Sequence, residues 1–152
     1  MPWGRRPRNS HPAKRHRVRR RKNAGRAKTY EWLRLVSERA GLEDNHRAYQ
    51  ALRAVIHALR DRVEPDVAAH FSAQLPLLIR GAFYEGWDPA KTPMRLSLAE
   101  FLERVEKEAN LKGRSAAEDA ARAVLSVCWD ELGQGTMDHL ISVLPADFAV
   151  LM

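Results

Sequence analysis

A single cysteine in 152 residues leaves no disulfide framework and no cysteine-based zinc site. No apolar run approaches the ~18 residues that a membrane-spanning helix needs. The eight glycines are scattered singly, so no glycine-rich loop stands ready to cradle a phosphate. Gly133-Gln134-Gly135 reads as a turn between helices, and no serine sits in a nucleophile-elbow context. No stretch alternates apolar and polar residues for long enough to build a sheet. Acidic residues are missing altogether from the first 28 positions, which hold 12 of the 26 Lys and Arg residues. The remainder carries 14 basic and 19 acidic residues, so the net charge of +7 describes neither part.

Residues 1–28 therefore read as a basic tail. Three prolines, no apolar period and dense positive charge predict disorder. The positive start is not followed by the apolar stretch of a secretory signal, and a cytoplasmic protein is expected. Lys14, Arg15, Arg17, Arg19, Arg20, Arg21 and Lys22 form the cluster that DNA, RNA or another polyanion would attract, through counterion release rather than base readout. The alternatives are an inert solvated extension, or residues that precede the native start. His11 and His16 have no cysteine or carboxylate beside them and mark no metal site.

The rest of the chain repeats itself. At an offset of 69, residues 30–83 align with 99–152 without a gap and are identical at 14 of 54 positions. The matches include Leu33/Leu102, Val36/Val105, Arg53/Arg122, Asp61/Asp130, His70/His139 and Leu75-Pro76/Leu144-Pro145. Each copy reads as helices. The first is expected near 30–40, with Gly41 as a left-handed cap matched by Asn110. The second is expected near 46–62, with an apolar stripe through Ala48, Leu52, Val55 and Leu59. In the second copy, Ser97 with Glu100 and Ser115 with Glu118 read as capping boxes. Pro65 suits the first turn of a third helix, and Pro76 and Pro145 each precede a short apolar segment. The apolar residues 148–152 are expected to dock on the core. The expected architecture is all-α: a duplicated helical bundle, two similar lobes of three to four helices about a pseudo-twofold axis. The copies are joined by an ordered loop over 84–98, and the helical domain covers 29–152.

Few residues in this domain stand out chemically. Cys128 falls on an apolar stripe and behaves as a small hydrophobe. Arg53 and Asp61, like Arg122 and Asp130, are eight residues apart, too far for a direct bridge, and are expected to contact other helices of their own lobe. His70 and His139 read as surface or capping histidines, the alternative being that they face one another as a ligand pair if the halves meet about a twofold axis. No metal and no cofactor is expected. Tyr84, Glu85 and Trp87 offer a partner-binding rim, since Trp and Tyr are favoured hot-spot residues, with Trp87 alternatively plugging the seam between lobes.

Leu75-Pro76 before an apolar stretch, Tyr84-Glu85-Gly86-Trp87, and Glu100-Phe101-Leu102 with Arg104-Val105 resemble the prokaryotic family known as domain of unknown function 2267. The resemblance covers about 29–152 and leaves the basic tail outside the family pattern. It implies a small helical bacterial protein with no established activity, and carries over no catalytic residue. The function that follows is a non-enzymatic interaction module with a protein partner. The alternatives are a polyanion-binding accessory protein gripping DNA or RNA with residues 1–28, and an enzyme of unrecognised type.

Overall fold

The computed structural model describes the backbone of residues 12–152 and the side chains of residues 25–152. Residues 1–11, and the expected disorder there, lie outside the described residues. The chain is all-helical, with no strand among the described residues. Its elements are α1 (Pro12–Ala40), α2 (Asn45–Arg62), α3 (Pro65–Ser72), α4 (Leu77–Tyr84), α5 (Leu98–Glu108), α6 (Arg114–Glu131) and α7 (Gln134–Ser142). Two 3₁₀ turns, Pro89–Lys91 and Ala146–Leu151, complete the order.

Local sequence explains most of these boundaries. Gly41 (φ 67°) and Asn110 (φ 53°) adopt the left-handed conformation after α1 and α5. Ser97 and Glu100 form a reciprocal capping box at α5. Asp44 accepts from the Arg47 amide and caps α2. Pro65 opens α3 in its first turn, and Pro76 and Pro145 stand immediately before α4 and the last 3₁₀ turn.

Three local expectations change. The helical backbone of α1 reaches back to Pro12, further than the helix expected from about 30 and in place of the disorder expected over 12–28. Pro12 suits a first turn, and Ala, Lys and Arg, all good helix formers, dominate the stretch that follows. Ser115 does not cap α6, because the helix already starts at Arg114 behind Gly113, whose φ of 93° excludes most other residues. Gln134 and Gly135 are not a free turn but the first turn of α7, with Gly133 before them.

The core is one contiguous cluster drawn from both halves of the chain. Trp32, Leu33 and Val36 of α1, the stripe of α2, Phe101, Leu102 and Val105 of α5, and Ala121, Val124, Leu125 and Cys128 of α6 are all buried in it. Packing crosses between halves as freely as within them. α1 packs on α2 and on α6, α5 packs on α6 and on α2, and α3 packs on α7. Phe148 and Leu151 bury the last turn against the same core, and the turn itself contacts α6. The conserved-offset aspartates do not stay within their own half as expected. Asp61 Oδ2 receives Arg104 Nη2 of α5 at 2.7 Å, and Asp130 Oδ2 meets Arg39 Nη2 of α1 at 2.6 Å. Arg122 stays within its half as expected, donating to the Val150 carbonyl, whereas Arg53 bonds Glu85 at the start of the connecting loop.

Candidate functional site

The C-terminal half of α2 carries His57, Arg60 and Asp61, all buried. A helix ends with carbonyls that lack intrahelical partners, and a buried end must find donors elsewhere. α4 finds them here. His57 Nε2 donates to the Ala82 carbonyl at 2.6 Å, and Arg60 Nη1 donates to the carbonyls of Phe83 and Glu85, both at 2.8 Å. A cation at a helix C-terminus is also favoured by the macrodipole. The imidazole of His57 is held below its ordinary pKa by burial, so it stays neutral and works as a donor.

The guanidinium of Arg60 is itself paired. Nε and Nη2 reach the two carboxylate oxygens of Asp61 at 2.8 and 3.1 Å. Arg104 adds its bond to Asp61 and a second one to Glu108 at 2.9 Å. Burial alone would push the Asp61 pKa up. The hydrogen bonds and charges of Arg60 and Arg104 outweigh it and hold the carboxyl below the ordinary range. The loop over 85–97 is fastened to the same helix. The Met94 amide donates to the Asp61 carbonyl at 2.6 Å, and Arg62 Nε donates to the Leu96 carbonyl at 2.9 Å.

Tyr84, Glu85 and Trp87 leave this frame on its outer side. The Tyr84 hydroxyl is hydrogen-bonded to Ser72 Oγ, and its ring lies 5.1 Å from Phe83 and 5.2 Å from Trp87, centroid to centroid. Glu85 is exposed and meets Arg53 at 3.2 Å. Trp87 is half-buried, and its indole N–H has no acceptor among the described residues. Its aromatic contact is with Tyr84, three residues before it. The three predicted rim residues are thus brought together on one support.

The other candidates separate from this site. Burial pushes the Cys128 thiol up to about 12, which leaves it a poor nucleophile. His70 and His139 do face each other, with ring centroids 5.5 Å apart. The basic cluster lies along α1, and the side chains of Lys14, Arg15, Arg17, Arg19, Arg20, Arg21 and Lys22 lie outside the described residues.

A family model described as an uncharacterized conserved protein (DUF2267) matches residues 29–151. The chain belongs to this family. The matched span takes in α2 to α7 whole and the part of α1 that enters the core, and bears out the resemblance read from the sequence. No curated protein matches the chain.

Sequence reasoning singled out Tyr84, Glu85 and Trp87 but missed what holds them. Arg60, His57 and Arg104 look like ordinary polar positions on amphipathic helices. One signal was present: position 60 aligns with Trp129 in the repeat, so that place on the helix faces inward.

Proposed function

We propose that this chain is a non-enzymatic helical interaction module of a cytoplasmic, prokaryotic protein, built from two copies of one unit. On this reading it docks a protein partner on Tyr84, Glu85 and Trp87. The duplication is supported by register. α2 and α6 begin and end 69 residues apart, as the sequence offset requires, and α3 and α7 begin 69 residues apart. It is supported also by reciprocity, since α1 packs on α6 as α5 packs on α2.

The docking reading rests on one observation: a partly exposed Tyr–Trp pair sits on a backbone whose carbonyls are clamped from below by a buried arginine. Aromatic side chains cost little entropy to immobilise, and a pre-set platform reduces that cost further. The exposed Arg53–Glu85 pair supplies a polar edge for orientation. A partner captured by the wild-type chain, then purified and titrated against it, is expected to bind Trp87→Ala roughly 30-fold more weakly, the effect of losing a hot spot of about 2 kcal/mol. Equal affinity for Trp87→Ala and for Tyr84→Ala, each checked for unchanged helicity, would refute the rim.

A second reading concerns residues 1–28, with 12 basic and no acidic residues. The backbone of part of this stretch, from Pro12 onward, is helical and continuous with the core segment of α1. We infer salt-dependent binding to DNA or RNA without base preference. Neutralising about five phosphates of duplex DNA gives a log–log salt slope of roughly −4. Deleting 1–28 is expected to abolish that binding, because residues 29–152 are net negative. A fluorescence titration in which the truncated chain binds as tightly as the full one overturns this reading.

A further inference from the structure

We propose that His70 and His139 together chelate one first-row transition-metal dication of the Zn²⁺ class, one ring nitrogen from each. The two histidines occupy the same register in the two halves, near the C-terminal ends of α3 and α7, which pack against each other. Their ring centroids lie 5.5 Å apart with planes inclined at 78°, and both residues are exposed. An imidazole nitrogen sits about 2.0–2.1 Å from such an ion, which places the ring centre about 3.2 Å from it. Two rings on a tetrahedral ion then have centres roughly 5.2 Å apart. The observed spacing meets that requirement within a few tenths of an ångström, and an edge-on pair leaves ring nitrogens free to converge as stacked rings do not.

The hydrogen bond at His139 goes to its backbone carbonyl, from Ser142 Oγ at 2.7 Å, and neither imidazole ring is hydrogen-bonded among the described residues. Imidazole suits Zn²⁺, Ni²⁺ and Cu²⁺ and not the harder Mg²⁺ or Ca²⁺. Asp66 precedes His70 by one helical turn, yet no set of three His, Cys, Asp or Glu residues among those described is placed to hold an ion. The bound ion therefore keeps coordination positions for water or for a donor from outside. That open coordination distinguishes it from a closed structural site.

Calorimetric titration of the full chain with ZnCl₂ tests this. One ion per chain is expected. Two donors on a fixed frame bind about 10²-fold or more tighter than either alone, so His70→Ala and His139→Ala should each lose at least that factor. Replacing His11, His16 and His46 together by alanine should change nothing. Because the ion ties α3 to α7, Zn²⁺ should also raise the wild-type melting temperature, a shift reversed by a chelator and missing from both single variants. Both histidines are exposed, so the variants keep the fold, and circular dichroism verifies that. The proposal is overturned if the wild-type chain takes up no ion, if either single variant binds within threefold of wild type, or if the melting shift survives in either.

Discussion

Asp61→Ala is expected to cost about 3 kcal/mol, at the lower end of the range for breaking a buried ion pair from one side. The substitution strands Arg60, which is 4% exposed, and removes the bond that ties α5 to α2 through Arg104. For a domain of this size that loss corresponds to a fall of roughly 10 °C in melting temperature. Asp61→Asn keeps the shape and one acceptor oxygen and should fall between wild type and alanine. The pH dependence carries the same signature. Asp61 titrates below its ordinary value of 3.8 in the fold, so its stabilisation is complete above that value. It is lost as the pH falls through the lower folded value. Urea melts from pH 7 to 3 should therefore steepen in the wild type below pH 4 and stay flatter for Asp61→Asn. Coincident curves for the two proteins would mean that the pair contributes no net stability.

Phe101→Ala should be of similar or greater severity, about 3–5 kcal/mol, the range for emptying a buried aromatic site. Phe101 is fully buried and meets Phe148 edge-on at 5.2 Å, so the void opens beneath the final turn of the chain. Its counterpart in the repeat is Trp32, which is 1% exposed. Trp32→Ala belongs in the same range. Trp32→Phe does not: the Trp32 indole N–H is buried without a partner, and a buried orphan donor costs about 1–3 kcal/mol. The volume lost to phenylalanine is set against relief of that orphan, so the change should lie near neutral. Both alanine variants should still melt in one transition, because one core serves both halves. Two resolved transitions in either would contradict that continuity.

Helix positions were largely legible because they depend on neighbours in sequence. The glycine and asparagine caps, the Ser97–Glu100 box and the prolines act over three or four residues, and the offset of 69 repeated the left-handed cap and the Leu-Pro pair. Partnerships across the fold were not legible. Nothing local distinguishes Arg60, clamped beneath α4, from Arg62 two places on, which reaches the Leu96 carbonyl. The direction in which Asp61 and Asp130 pair was misjudged for the same reason. An eight-residue spacing says that arginine and aspartate share a face, and does not say whose helix comes to meet it. Tyr84, Glu85 and Trp87 stood out because aromatic residues beside a proline-containing loop are conspicuous. Their clamp was hidden because backbone carbonyls leave no trace in composition.

The crossing of α1 onto α6 and of α5 onto α2 has a bearing on ancestry. Each half, taken alone, presents on its leading helix a greasy face that its own partners do not cover. A lone unit in the proposed duplication would thus have been insoluble as a singlet and viable only as a self-complementary twosome. Gene fusion would then have turned a concentration-dependent encounter into an intramolecular one, with the stretch between Tyr84 and Leu98 as the leash that raises local concentration toward the millimolar scale. Once leashed, the two sides were free to diverge. On that history one side would have come to carry Arg60 where the other carries Trp129, and the helix α4 where the other closes with a 3₁₀ turn.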